Sequence, residues 1–100
     1  MDKKALQMLG LCQRAGKLSS GETGAAAAIK DGSAELVIVA ENASDNTKKK
    51  FTDSAAYYNK KIVIVGDKLE MGGAIGKAER SVITVNEAGF AKKIAEILGL

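Results

Sequence analysis

Three short apolar runs constrain this chain more than anything else in it: LVIV at 36–39, IVIV at 62–65 and VITV at 82–85. Each is close to continuously aliphatic and β-branched, without the strict alternation of a strand that keeps one face wet. Between them lie segments whose apolar residues recur at three and four, the period of an amphipathic helix. Strands covered on both faces and separated by helices imply an α/β protein, a three-layer α/β/α sandwich. With 100 residues and no boundary, repeat or low-complexity tract, residues 1–100 are expected to form one domain.

Taken in order, Asp2 is placed to cap a first helix striped by Ala5, Leu6, Met8, Leu9 and Cys12, with Gly16 as its stop. Lys17–Ser20 is long enough only for an edge strand or an extended connector. A second helix is predicted from about Thr23 to Asp31, closed by Gly32. Leu36–Val39 reads as a central strand, and Ser44 or Asp45 starts a third helix. Lys61-IVIV is predicted as a second strand buried on both faces. Asp67 and Glu70 have capping-box spacing for a fourth helix that ends near Gly76. Val82-ITV is the last strand, and Asn86 or Glu87 opens a final helix carrying Phe90, Ala91, Ile94, Ile97 and Leu98.

Composition mainly removes options. There is no histidine, which excludes Ser-His and Cys-His triads and histidine-based zinc sites. A single cysteine, Cys12, permits no internal disulfide and no cysteine-only metal site; on the apolar stripe of its helix it is expected to be core. Phe51, Tyr57, Tyr58 and Phe90 are the only aromatics, too few for a base-stacking platform. No apolar run approaches the roughly 20 residues of a membrane span, and the N-terminus lacks the apolar centre of a signal peptide. A cytoplasmic protein without membrane contact is expected.

The stretch Lys17–Gly32, KLSSGETGAAAAIKDG, stands out chemically. Gly21 and Gly24 leave backbone exposed where a helix begins, and a helix start offers unpaired N–H groups and partial positive charge to a phosphate. Small residues are equally what a helix needs to pack tightly on a sheet. Both readings stand on these residues alone.

Elsewhere the signals are weaker. Gly72-GAIGKA falls short of a phosphate-binding loop: only three residues separate Gly72 from Gly76, and neither Ser nor Thr follows Lys77. Asp2, Asp45, Asp67 and Glu87 sit where helices begin, and Glu22, Asp31, Asp53 and Glu96 are expected to be solvated. Ser19 and Ser20 have no histidine to activate them, so neither catalysis nor a cofactor or metal is expected. The net charge of +3 is carried mainly by residues 45–65, with a local excess of +3, and residues 1–32, with +2. Lys48, Lys49 and Lys50 cover most of a helical turn and cannot converge on one ligand. Arg80 shares the loop Lys77-AERS with Lys77, and that loop could lie beside the opening of helix two.

Together, the Gly21–Gly32 helix opening, the LVIVA strand followed by Glu41 and Asn42, and Met71-GGAIGKAERSVITV resemble the kink-turn RNA-binding family of ribosomal proteins. That family includes archaeal and eukaryotic large-subunit proteins and core proteins of small nucleolar particles. The resemblance spans about Lys17 to Val85. Ser44-DNTKKKF and the C-terminal GFAKKI helix look most like its bacterial YlxQ-type branch. The resemblance implies a four-stranded mixed sheet in the sandwich, no catalysis, and a monomer that binds ribosomal or other structured RNA, with ribosomal proteins as further partners. It also implies an RNA site built from the start of helix two and the loop before the last strand. In this sequence those residues are Lys17, Ser20, Gly21, Glu22, Thr23, Gly24 and Lys30, with Glu41, Asn42, Lys77 and Arg80. The family's Asn-Glu pair, followed three residues later by lysine, is replaced here by Thr23, Gly24 and Ala27. That departure motivates an alternative: a protein-interaction adaptor on the same fold that has lost specific RNA readout.

Overall fold

The Asp2 carboxylate accepts a hydrogen bond from the Lys4 N–H at 2.7 Å, and α1 runs behind that cap from Lys3 to Arg14. The computed structural model describes all residues from Met1 to Leu100. After α1 come β1 (Leu18–Ser20), α2 (Gly21–Lys30), β2 (Leu36–Val39), α3 (Asp45–Tyr57), β3 (Lys61–Ile64), α4 (Lys68–Ala74), β4 (Val82–Val85) and α5 (Ala88–Ile97). Every element read from the sequence is present. The longest helix, α3, has 13 residues, and no helix is long and apolar enough to cross a membrane.

The strands form one mixed sheet in the order β1-β4-β2-β3. β4 runs antiparallel to both neighbours, with Ser20 opposite Ile83 and Val39 opposite Val82, while β2 and β3 are parallel. α2 and α3 pack together on one side of the sheet, and α1, α4 and α5 pack together as the other layer. β2 and β4, the two inner strands, are buried at every position, Thr84 included, in keeping with their nearly continuous apolar runs. Leu36, Ile38, Ile83, Phe51, Leu9 and Ile94 are the bulk of the core between the layers.

Two expectations need correction. β3 is an edge strand and not a strand buried on both faces: Lys61 and Ile64 are exposed, and Ile62 and Val63 only half-buried. The apolar run is real, but with one flank unpaired the helices cover it incompletely, leaving Ile64 42% exposed. α2 begins at Gly21, two residues before Thr23. Gly21 adopts φ +80°, a left-handed conformation open to glycine, and turns the chain straight out of β1 into the helix.

The capping box of α4 is half formed. Asp67 accepts from the N–H groups of Leu69 (2.7 Å) and Glu70 (3.2 Å), but the Glu70 carboxylate turns away to the amino group of Met1 at 3.1 Å. That helix stops at Ala74, short of Gly76.

Candidate nucleic-acid interface

One end of the sheet gathers the carboxyl ends of β1, β2 and β3 and the start of β4. Ala40 N–H donates to the Ser81 carbonyl at 2.9 Å and Glu41 N–H to the Gly66 carbonyl at 2.8 Å, so the segments that leave these strands lie side by side. Helices α2, α3 and α4 all begin at this end.

Four of the five helices are closed at their N-termini by a side chain: Asp2, Ser44, Asp67 and Glu87. α2 is not. Ser20 occupies its cap position with extended backbone but makes no hydrogen bond to the first turn. Its hydroxyl instead accepts from the Nε–H of Arg80 at 3.2 Å, across 60 residues of sequence. A serine cap normally satisfies one of the orphan amides of the first turn, so diverting it leaves the positive end of α2 uncovered. The opposite end of α2 is closed by backbone donors: Gly32 N–H donates to the Ile29 carbonyl at 3.3 Å and Ala34 N–H to the Ala28 carbonyl at 3.0 Å. Ser33 N–H donates to the Asp31 carboxylate at 2.8 Å, and hydrogen bonding to Ser33 holds that carboxyl below its ordinary range.

Arg80 is held from three sides. Its N–H donates to the Lys68 carbonyl at 2.9 Å, its Nη1 to the Glu79 carbonyl at 3.0 Å, and its Nε to Ser20. What brings this loop so close is Gly72. A Cβ built there would sit 1.9 Å from the Ala78 carbonyl oxygen, so the segment 77–80 lies directly on the glycine's backbone, and Lys77 N–H donates to the Gly72 carbonyl at 2.9 Å. Gly72, which fails as part of a phosphate-binding loop, is a spacer that sets Arg80 against the start of α2.

Glu22 is not simply solvated as expected. Thr47 Oγ1 donates to its Oε2 at 3.0 Å, and Lys50 Nζ lies 3.4 Å from Oε1, so the carboxylate is tied to α3. With both ends of the Lys50 pair about half exposed, this contact adds little stability. It nonetheless offsets a negative charge beside an open helix start. Thr47 and Lys50 were not legible as participants because only the packing of α3 on α2 brings them to Glu22. The lysine run diverges as its spacing requires: Lys49 pairs with Asp53 at 2.9 Å, while Lys50 turns to Glu22 and lies over Phe51, 5.5 Å from the ring centroid.

The structure therefore brings together Ser20, Gly21, Glu22, Thr23, Gly24 and Arg80. Lys77 belongs to the same loop as Arg80, exposed and without an ion-pair partner. Glu41 is exposed at this end too, but the side chain of Asn42 is committed elsewhere. Its Nδ2 donates to Asp67 at 2.9 Å and its Oδ1 accepts from Lys68 N–H at 3.0 Å, so it braces the start of α4. Lys17 and Lys30 are not part of the cluster. Lys17 precedes β1, its carbonyl accepting from Asn86 N–H beyond the far end of β4, about 10 Å of extended chain from Ser20. Lys30 closes α2, roughly 14 Å along the helix from Gly21.

Away from this end, Cys12 is fully buried on α1 and its thiol donates to the Lys17 carbonyl at 3.1 Å. Burial, helped by the Glu87 carboxylate, pushes the thiol up to about 11, which makes it an inert core residue.

The sequence matches the family described as Ribosomal protein L7Ae/L30e/S12e/Gadd45 over residues 3–95. The RNA-binding protein YlxQ of Enterococcus faecium is 41% identical over 96 residues, spanning 96% of this chain and 92% of that protein. Its Bacillus subtilis counterpart, of the same description, is 41% identical over 91 residues, 91% of each chain. Among solved structures, a protein of unknown function from Bacillus halodurans superposes with TM-score 0.93 at 39% identity, covering 99% of this chain and all of the other. The 15.5 kD RNA binding protein of Giardia lamblia superposes with TM-score 0.80 at 20% identity, covering 99% of this chain and 88% of its own, a likeness of fold. An uncapped helix start braced by a loop arginine thus sits in a chain that belongs to the L7Ae/L30e/S12e/Gadd45 ribosomal protein family, on its YlxQ-like bacterial branch.

Proposed function

We propose that this chain binds structured RNA, ribosomal or kink-turn-like, through the start of α2 and the loop before β4, as a ribosome-associated protein that performs no catalysis. The observation that carries the reading is the serine cap of α2 turned over to Arg80, which leaves first-turn amides beside a fixed guanidinium. Amides and the helix dipole suit a phosphate oxygen, and the free Nη2 of Arg80 and the Lys77 ammonium add charge. Relatives that share 41% of its residues and are described as RNA-binding support the same partner class. RNA that is bent or looped suits such a site, because an A-form major groove is closed to side chains while splayed backbones are not. Lys17 and Lys30, at the other end of α2 and β1, reach a second stretch of RNA backbone only if the RNA extends along that helix.

Specificity is a separate question at this site. Gly24 carries no side chain to read a base edge, and a Cβ there would meet only Ser19 Cβ at 3.8 Å, an ordinary contact. The fold therefore leaves room for a larger residue, and Ala27 is exposed. The test is a titration of a kink-turn stem-loop against a straight duplex of matched composition, by filter binding at two salt concentrations. Binding of the stem-loop that weakens with salt supports the proposal; no binding to either RNA overturns it. The combined variant T23N/G24E/A27K should widen the preference for the bent RNA several-fold. An unchanged preference removes these three positions from the account of readout.

A further inference from the structure

On the layer opposite α2, α1 and α4 leave a groove of about 640 Å³ between them. Its floor is apolar and low, built from Leu6, Leu11, Gly73 and Ala74. Leu11 is 45% exposed, on a helix that buries Ala5, Leu9 and Cys12 on its inner face. Two glycines keep the floor low. A Cβ at Gly10 would fall 2.9 Å from the Ala74 carbonyl, so that glycine lets the helices close up, whereas a Cβ at Gly73 would meet nothing within 4 Å. Gly73 therefore has no packing reason to be small.

The charge around this floor is one-sided. Lys3 and Arg14 line its two ends, and neither has an ion-pair partner. The only carboxylate on the lining, Glu70, is occupied by the amino group of Met1 at 3.1 Å. Lys3 and Arg14 are eleven residues apart on one helix, a span of about 16 Å or three turns.

We propose that the α1–α4 groove is a docking site for an acidic amphipathic helix of a partner protein. About three turns of such a helix would lay their apolar face on Leu6, Leu11 and Gly73 and set Asp or Glu side chains against Lys3 and Arg14. Helix-in-groove recognition fits because both walls are helices and no unpaired strand edge is offered. A second copy of this chain does not fit, since α1, α3 and α5 all carry lysines and none presents an acidic face. RNA does not fit the apolar floor. This site lies on a different layer from the start of α2, and the inference stands whether or not that edge binds RNA.

The probe is a capped, fluorescein-labelled peptide of about four helical turns with leucines on one face and glutamates on the other, read by anisotropy and by amide shifts. The intact protein should bind it at sub-millimolar concentrations, with shifts centred on Leu6, Leu11 and Gly73. A matched peptide carrying lysine in place of glutamate should bind at least tenfold more weakly. Gly73→Leu, which fills open space, should abolish binding while leaving the far-UV circular dichroism unchanged. Arg14→Glu, on an exposed position, should weaken it at least fivefold and serves if Gly73→Leu fails to fold. Gly73→Leu, which leaves the charge unchanged, should not change affinity for the kink-turn stem-loop. No shifts at millimolar acidic peptide would overturn the proposal. Equal binding of the lysine peptide, or self-association that occludes the groove, would do so as well.

Discussion

The starts of α2 and α4 lie at the same end of the sheet, and they are finished in opposite ways. At α4, Asp67 caps two amides, and Asn42 reaches in from the end of β2 to hold both Asp67 and the Lys68 N–H. At α2, the residue in the cap position gives its hydroxyl to Arg80 and no side chain covers the first turn. A terminus whose polar groups are all matched internally contributes to stability and has little left for a ligand. One that leaves them unmatched forgoes on the order of 1 kcal/mol of capping and keeps its donors for something else. The two starts show that the same local element is closed on itself or left open according to where its cap goes.

The comparison breaks most visibly at Gly72, which belongs to α4 but positions the α2 site. Gly72→Ala places a Cβ against the Ala78 carbonyl and should cost about 3 kcal/mol in chemical denaturation while also displacing Arg80. A stability change under about 0.5 kcal/mol would show that the loop is not seated on that glycine. Arg80→Ala should weaken binding of the stem-loop RNA roughly tenfold and lower the salt slope by about one, with little effect on the melt. Equal loss of stability and affinity would make Arg80 a structural residue. Asp67→Ala and Ser20→Ala then separate the two starts directly. Losing Asp67 should cost about 1–2 kcal/mol and leave RNA affinity within about twofold, whereas losing Ser20 should cost under about 0.5 kcal/mol and reduce affinity.

A last effect, read in its pH dependence, belongs to neither start and tests the burial of α1 near the other end of the sheet. The Cys12 thiol has an ordinary value of 9.0 and about 11 in the folded chain. A raised value means the folded state keeps its proton while the unfolded chain loses it. This contribution is therefore complete below pH 9 and fades as pH rises toward 11. Denaturation of the native protein across that range should show a decline that Cys12→Ala removes. An identical pH profile in both would contradict the burial account.

Much of this was legible from residue pattern. Near-continuous apolar runs gave β2 and β4, and the three-and-four spacing with Asp2, Ser44 or Asp45, Asp67, and Asn86 or Glu87 gave four helix starts, because caps and periodicity are local. What was not legible depends on how distant pieces meet. The run Lys61-IVIV is as apolar as a central strand, and only the sheet order makes it an edge. Glu22 looks like a solvated carboxylate until α3 brings Thr47 and Lys50 to it. Lys17 and Lys30 share a sixteen-residue stretch with Gly21 yet lie away from it, since a strand and a helix each run their length before turning. Arg80 does lie beside the opening of helix two, but the reason, a glycine that lets its loop rest on α4, is hidden in a motif that resembles something else.

An NMR titration of labelled protein with the kink-turn stem-loop tests whether RNA is held at the open start of α2, as proposed. The amides of Gly21, Glu22, Thr23 and Arg80 should shift first and furthest, while those of Leu69 and Glu70 at the capped start of α4 stay near their free positions. Shifts confined to the Lys17 and Lys30 end, or equal shifts at both helix starts, would contradict it.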